Sequence, residues 1–297
     1  MAQVNNSSNI SPVTNALVVG NGAGFSNVTP VSNGVLVTDN SGVPSLLPNS
    51  GTAGYVLTAN TGAPPSWQAG GGGGSFSSIN IQTFTSSGTY TPTANMAYCQ
   101  IEVWGGGGAG GGSTSTTGGS AGSGGGAGGY SKGIYSAATI GASKAVTIGT
   151  GGTGVSASAG GNGGTTSVGA IISATGGTGG LTSLTTTGVL GVTSGSSGGI
   201  GSGGSINATG SSGNNAIYTG SGSRNALTGS GGSTIWGDGG QSVIFPANYS
   251  ASSIAGYAPD TTSYGAGGAG SYSSNSNPSQ AGGNGIAGYV VITEYIS

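Results

Sequence analysis

Two pairs of carboxylates are the side chains best suited to chemistry in this sequence. Asp238 and Asp260 lie in a region rich in glycine and tyrosine, and Glu102 and Glu294 lie in the two most apolar runs. Paired carboxylates are the acid and base of polysaccharide-cleaving enzymes. However, Asp238 stands in Trp-Gly-Asp-Gly-Gly, a sequence typical of a turn. The two glutamates are expected to face solvent from strands that could be neighbours.

Other catalytic groups are scarce. The chain has no histidine, which excludes Ser-His and Cys-His pairs and any histidine metal ligand. Its single cysteine, Cys99, is expected to be a small buried apolar residue. Gly-x-Gly-x-x-Gly patterns recur, but none follows a predicted strand and opens a helix, so nucleotide binding is not expected. We predict a protein that is not an enzyme, with no catalytic residues, no metal and no cofactor.

Charge is almost absent from the chain. Eight side chains are charged, and they are Asp39, Glu102, Lys132, Lys144, Arg224, Asp238, Asp260 and Glu294. Three scattered cations do not make the basic patch that nucleic acid or an anionic membrane requires. No run reaches the roughly 20 apolar residues of a spanning helix, so membrane insertion is not expected. The first ten residues lack the pattern of a secretory signal, which predicts assembly in a cytoplasm.

Glycine dominates the composition, with 71 of the 297 residues. The glycines form irregular clusters and prolines number only 10, which excludes a collagen triple helix. A disordered linker is the other class with much glycine and serine. Because 33% of the residues are hydrophobic and occur in short β-branched and aromatic runs, we predict a folded, all-β protein.

Residues 1–69 contain a degenerate repeat. Its copies begin near Leu17, Gly34 and Gly54, and each has a short apolar run, a turn with Asn or Gly, and a second apolar stretch. This pattern predicts short β-hairpins, which bury too little surface to be stable alone. We therefore expect an attachment region or fibre shaft in which chains associate, most simply as a homotrimer. Residues 70–80 begin with five glycines and are predicted to be a linker.

Residues 81–297 are expected to form a β-sandwich-like head. The run 98–104 alternates, with Cys99, Ile101 and Val103 on one face. Further strands are predicted at 145–148, 170–174 and 289–296, and the first and last of the four are expected to lie side by side. Residues 181–280 are expected to form an exposed loop or tip region.

Seven glycine clusters separate these predicted strands. They are 105–112, 118–129, 151–164, 176–180, 195–204, 229–232 and 265–270. A helix is disfavoured there, since each glycine costs about 1 kcal/mol relative to alanine. The clusters could be flexible spacers, or they could be extended polyglycine-II segments with three residues per turn. Their recurrence within one unit favours a bundle of such segments.

Two stretches carry a resemblance to a known family. The run 84–92 (FTSSGTYTP), followed by Ile-Glu-Val-Trp and four glycines, resembles the opening of the glycine-rich domain of phage and prophage tail-fibre proteins. The ending 282–295 (GGNGIAGYVVITEY) is similar to the closing strand of that domain. The repeat that ends in Pro-Pro-Ser-Trp-Gln is similar to one found in such fibres. The region 181–280 matches only in composition.

The resemblance implies a virion component at a fibre end, similar to the polyglycine-II adhesins of some phages. Its expected partners are a host cell-surface receptor, either a saccharide or an outer-membrane protein, and other tail-fibre or tail proteins. A structural surface or matrix protein without a receptor is the alternative. An ice-binding protein is a further class, but the irregular spacing of the clusters argues against its regular flat face.

Receptor contact is expected from aromatic side chains in the least family-like region. Rigid aromatic rings offer a large contact area at low entropic cost and stack on sugar faces. The alternative is that these rings close the ends of the glycine bundle as a small core. The candidates are Tyr218, Trp236, Phe245, Tyr249, Tyr257, Tyr264 and Tyr272.

Overall fold

A computed structural model of the chain describes two compact units, Met1–Ser75 and Phe76–Ser297. The predicted linker, 70–80, therefore ends inside the second unit, whose first strand begins at Ser78. The residues described are 17–20, 25–28, 35–38, 44–48, 55–60, 63–69, 77–115, 118–182, 190–219, 225–245, 252–274 and 277–297.

The described residues form antiparallel strands and one short helix, which confirms the all-β prediction. The first unit contains β1 (Leu17–Gly20), β2 (Phe25–Val28), β3 (Val35–Thr38), β4 (Pro44–Leu47), β5 (Tyr55–Asn60) and β6 (Ala63–Ala69). The second unit contains β7 (Ser78–Phe84), β8 (Gly88–Tyr90), β9 (Met96–Trp104), β10 (Ser120–Ala121), β11 (Tyr130–Ser136), α1 (Ala137–Ile140), β12 (Lys144–Thr147), β13 (Thr166–Val168), β14 (Ile172–Ala174), β15 (Leu190–Thr193), β16 (Gly201–Ser202), β17 (Ile206–Ala208), β18 (Ala216–Thr219), β19 (Ala226–Leu227), β20 (Ile244–Phe245), β21 (Ser253–Ile254), β22 (Tyr272–Ser273) and β23 (Tyr289–Ile296).

The first unit contains three separate two-stranded antiparallel pairs, β1–β2, β3–β4 and β5–β6. Each pair coincides with one copy of the sequence repeat. The residues between paired strands lie outside those described, so the predicted turns stay a prediction. In the third pair Tyr55, Val56 and Leu57 are each at least 40% exposed. A single chain therefore leaves this apolar surface in water.

Two five-stranded sheets enclose the main hydrophobic core of the second unit. Their orders are β17-β11-β9-β23-β7 and β16-β14-β13-β12-β8. Cys99, Ile101 and Val103 on β9 are fully buried in this core, as the alternation predicted. Strands β9 and β23 are antiparallel neighbours, which confirms the expectation that the two strong strands lie side by side.

Glycine-rich segments leave this sandwich and run to a second, smaller group of sheets. Segment 105–112 begins directly after β9, and segment 122–129 returns directly to β11. At the far end the strand orders are β10-β22-β21 and β15-β18-β19-β20. Residues 181–280 supply several of these segments, including 210–214 and 265–271, as well as far-end strands. From the sequence we expected an exposed loop or tip region in 181–280, and part of this range lies in glycine segments that are hydrogen-bonded to their neighbours.

Hydrogen bonds of segment 105–112 repeat every third residue. The amides of Gly105, Gly108 and Gly111 donate to the carbonyls of residues 129, 126 and 123. The amides of residues 106, 109 and 112 donate to 164, 161 and 158, and those of 107 and 110 donate to 286 and 283. Its carbonyls accept from segments 177–180 and 268–271 and from Gly152. One segment is thus bonded to six neighbours, a pattern that differs from the two neighbours of a β-strand.

Close backbone contact explains why these segments are glycine. A Cβ atom added at Gly110 would lie 1.9 Å from the carbonyl oxygen of Ala269, and one at Gly125 would lie 2.2 Å from that of Gly108. At these glycine positions the neighbouring backbone leaves no room for a side chain. Alanine occurs at a few buried positions of the segments, such as Ala109 and Ala127, where a methyl group fits.

Candidate binding surface

Three of the seven predicted receptor residues are buried. Tyr218, Phe245 and Tyr272 are between 2% and 9% exposed and form a second hydrophobic core at the far end of the glycine segments. The rings of Phe245 and Tyr272 stack with centroids 4.2 Å apart. Because their faces are packed against each other, they do not present a surface to a receptor. The structure thus corrects the expectation for these three residues, which close the bundle instead.

Two more candidates belong to a cluster of five rings where the glycine segments meet the sandwich. Trp236 lies edge-on to Trp104 at 5.1 Å and to Tyr289 at 5.0 Å, and Tyr264 stacks on Tyr289 at 4.3 Å. Tyr130 completes the cluster, 4.9 Å from Trp104. Trp236 is nevertheless 37% exposed, whereas Trp104 is buried. The cluster holds Trp236 in a defined orientation while leaving part of it in solvent.

Trp236 and Tyr257 line an open polar cleft with a volume of about 600 Å³. Tyr257 is 50% exposed. Both carboxylates of the first candidate pair, Asp238 and Asp260, line the same cleft, so the fold brings together residues 22 positions apart. Its other polar side chains are Gln241, Ser242, Thr262 and Ser263. The seventh candidate, Tyr249, lies outside the described residues.

Two tight turns build the walls of the cleft. In the first, the Thr234 amide donates to the Gly237 carbonyl at 3.0 Å and the Gly237 amide donates back. In the second, the Ser263 amide donates to the Asp260 carbonyl at 2.9 Å. The turns carry the aspartates on short, hydrogen-bonded loops next to rigid glycine segments. Asp238 directly follows the first turn, which spans 234–237, so it lines the cleft without being part of the turn predicted for it.

The cleft is suited to binding a polar ligand. Carboxylates accept hydrogen bonds from hydroxyl groups, and amide side chains both donate hydrogen bonds to them and accept hydrogen bonds from them. Aromatic rings offer an apolar surface beside these polar groups. Asp238 and Asp260 are both exposed, so both carboxylates are accessible to a ligand in the cleft.

The structure separates the two glutamates of the second carboxylate pair, and for one of them it corrects the expectation that the side chain faces solvent. Glu294 is fully buried, although it was expected to face solvent. Its carboxylate accepts hydrogen bonds from Tyr90 Oη at 2.8 Å, from Asn80 Nδ2 at 2.8 Å, and from the amide and hydroxyl of Thr93 at 2.9 and 2.6 Å. Glu102 lies on the opposite face of the sheet, because its cross-strand partner is residue 291. The two glutamates are structural and do not form a pair.

The Cys99 thiol is buried in the main core, as predicted. Burial raises its pKa to about 11, although a hydrogen bond with Tyr90 acts in the opposite direction. At pH 8 almost no thiolate is present, and the thiol is inaccessible. We expect Cys99 to react with a maleimide reagent at least 100-fold more slowly in the folded protein than in denaturant. Labelling followed by mass spectrometry tests this, and fast labelling of folded protein would contradict it.

Sequence reasoning missed several residues of this surface. Trp104, Tyr130 and Tyr289 each adjoin a glycine segment at a strand end, and that shared position was the available signal. Within the described ranges, no group of three or more acidic or cysteine side chains could hold a metal ion. None of the described helical residues forms a segment able to cross a membrane.

Comparison with known proteins supports the glycine-rich character of the chain. No curated protein matches it. A family model described as a glycine-rich domain matches residues 83–295, which include the glycine segments, the polar cleft and both five-stranded sheets apart from most of β7. The match covers most of the chain, and the chain therefore belongs to the glycine-rich domain family.

Proposed function

We propose that this chain is a tail-fibre adhesin of a phage virion, whose glycine-rich head attaches to the host cell surface. The observation that carries the proposal is the path of the chain through the second unit. The chain enters at β7 and leaves at β23, adjacent strands of the sandwich, while glycine segments hold other strands and connections at the far end. This arrangement suits a rigid head that is carried on a stem. In this proposal the fibre is assembled in the host cytoplasm.

The glycine segments are, in this proposal, polyglycine-II helices packed in a bundle. Three residues per turn is the period of such helices, and it matches the period of three in the hydrogen bonds of segment 105–112. Six hydrogen-bonded neighbours make each inner segment rigid without side chains. A rigid head orders its binding surface in advance and so reduces the entropic cost of attachment.

The first unit acts as the fibre stem, and we propose that it associates as a homotrimer through short hairpins. Support comes from Val56 and Leu57, which are 50% and 40% exposed in the single chain. Neighbouring chains would cover these side chains, and each fully buried aliphatic side chain contributes about 1.5–3 kcal/mol. Other tail or tail-fibre proteins would bind the end of the stem that does not carry the head.

The polar cleft is the proposed receptor contact among the described residues, with a cell-surface saccharide as its ligand. Tyr257→Ala should weaken binding of the full-length protein to cells at least tenfold, because the exposed ring is a stacking surface beside Asp238 and Asp260. Ile200→Ala is the matched control, since Ile200 is 61% exposed and lies outside the cleft.

Adsorption of fluorescent protein to a panel of bacterial strains measures this effect. Periodate oxidation of the cells, which destroys sugars with vicinal hydroxyls, should abolish binding. Binding that survives periodate would identify a protein receptor instead. If no strain binds the protein, the matrix-protein alternative is favoured. If Tyr257→Ala and Ile200→Ala bind equally well, the cleft is not the contact.

A further inference from the structure

The outer face of the sheet β17-β11-β9-β23-β7 carries exposed apolar side chains. Ile79, Ile81, Tyr98, Ile134 and Ile206 are between 50% and 63% exposed, and we call these five residues the outer face. The opposite side of the same sheet covers the main core. Isolated exposed apolar residues are common on proteins, but a contiguous group on one sheet face marks an interaction site.

The strand register shows that these residues share one surface. Tyr295 on β23 lies between Ile79 on β7 and Tyr98 on β9, so an apolar row crosses three strands. In the next row Thr293 lies opposite Ile81 and Gln100 lies opposite Ile134. Ile206 on β17 lies opposite Lys132, which is two residues from Ile134 on β11. Side chains of alternate residues point to the same side of a sheet, which places all five on the outer side.

The two charged side chains on this surface have opposite charges and neutralise each other. Lys132 and Glu102, whose nitrogen and oxygen atoms are 3.7 Å apart, form an ion pair on the same side of the sheet. Tyr130 Oη also donates to Glu102 at 2.6 Å. A surface of this kind does not attract a charged partner such as nucleic acid. It is suited to another neutral, apolar surface, and an identical copy of itself is one.

We propose that the outer face is a self-association surface, which packs against the outer faces of the other copies of this chain on the same stem. This inference rests on the proposed stem. Five strands about 4.8 Å apart and about 25 Å long give an area on the order of 500 Å². That is less than the roughly 800 Å² per partner of a standard stable interface, so free heads would associate weakly.

Attachment to a common stem overcomes this weakness. Only eight residues, 70–77, separate β6 from β7, and β7 carries Ile79 and Ile81. Short connections of this kind give effective concentrations in the millimolar range. Copies on the same stem therefore outcompete dilute foreign partners for the outer face.

The test is the labelling rate of a single introduced thiol in the full-length protein. Ile134→Cys places the thiol on the outer face, and Ile244→Cys is the control, because Ile244 is 73% exposed outside that sheet. The buried Cys99 does not compete for reagent. We expect a maleimide to react at least tenfold more slowly at position 134 than at position 244. Adding Ile81→Lys should remove the difference, because a lysine charge is unfavourable in an apolar interface.

Light scattering of the same samples identifies what covers the outer face. The proposal requires slow labelling together with a mass of at least twice the 27.5 kDa of a single chain. Equal labelling rates in an oligomer would overturn it and leave the stem intact. Slow labelling in a monomer would mean that another part of the same chain covers the face, which also overturns it. The proposed cell contact is the polar cleft and not the outer face, so cell adsorption tests the proposed function independently of this labelling experiment.

Discussion

Replacing Gly125 with alanine should lower the free energy of unfolding of the second unit by about 3 kcal/mol or more. The added methyl group would lie 2.2 Å from the Gly108 carbonyl oxygen and 2.5 Å from that of Ala109. Both contacts are with backbone, which cannot rotate aside as a side chain can. The Gly125 amide and carbonyl are themselves bonded to Gly268 and Gly232, so the segment cannot shift without breaking those bonds.

Gly88→Ala is the matched control for this substitution. A Cβ at Gly88 would meet only the Phe84 ring, at 3.9 Å, which is ordinary van der Waals contact. Its effect should be within about 1 kcal/mol, and it could stabilise by restricting the unfolded chain. For a unit of this size 3 kcal/mol corresponds to a fall in Tm of about 6–12 °C. Equal melting temperatures for the two variants would show that the glycine segments are spacers.

Replacing Glu294 with glutamine should lower stability at pH 7 by about 3 kcal/mol. Its buried carboxylate accepts four hydrogen bonds, which join β23 to Asn80 on β7, Tyr90 on β8 and Thr93 after β8. A glutamine has one accepting oxygen, and its amide group would face two donors. Glu102→Gln is the control, since that side chain is 20% exposed and its ion pair contributes less than about 1 kcal/mol.

The stability contributed by Glu294 should depend on pH. Burial alone would raise the pKa of its carboxyl, but the hydrogen bonds from Thr93, Asn80 and Tyr90 outweigh burial and lower it. A carboxyl with a lower pKa in the folded state stabilises the protein above its unfolded pKa of about 4.5. That stabilisation is lost as the pH falls through the folded pKa.

Urea unfolding between pH 3 and pH 7 measures this dependence. The difference in unfolding free energy between the native protein and Glu294→Gln should be largest near pH 7 and should shrink below pH 4.5. The Glu102→Gln difference should remain small throughout. A Glu294→Gln difference that does not change with pH would mean that the loss comes from packing and not from the charge of the carboxylate.

Local sequence pattern was enough to predict four of the ten strands of the sandwich, β9, β12, β14 and β23. The alternation over 98–104 identified the buried face of β9, because period two is a property of any strand that covers a core. The apolar run 289–296 identified β23 for the same reason. The absence of histidine and the scarcity of charge are properties of composition, and they leave few side chains that could build a catalytic site.

Tertiary structure decided which polar and aromatic residues are exposed. Glu294 occupies an inward position of β23, and only the donors from Asn80, Tyr90 and Thr93, distant in sequence, make its burial tolerable. Likewise, Tyr272 and Tyr257 occur in similar sequence surroundings. One is buried against Phe245 and the other lines the cleft.

The composition of the glycine segments predicted that they are extended and closely packed, but it did not predict their partners. Glycine has no side chain, so a run of glycines carries no pattern of size, charge or polarity by which one segment could select another. The neighbours of segment 105–112 are set by where the strands at its two ends are paired and by which backbone amides and carbonyls then meet. Sequence alone therefore determined that the head contains extended glycine segments. The tertiary fold determined which segments are neighbours, because the backbone hydrogen-bonding groups are the same in every residue and cannot select a partner.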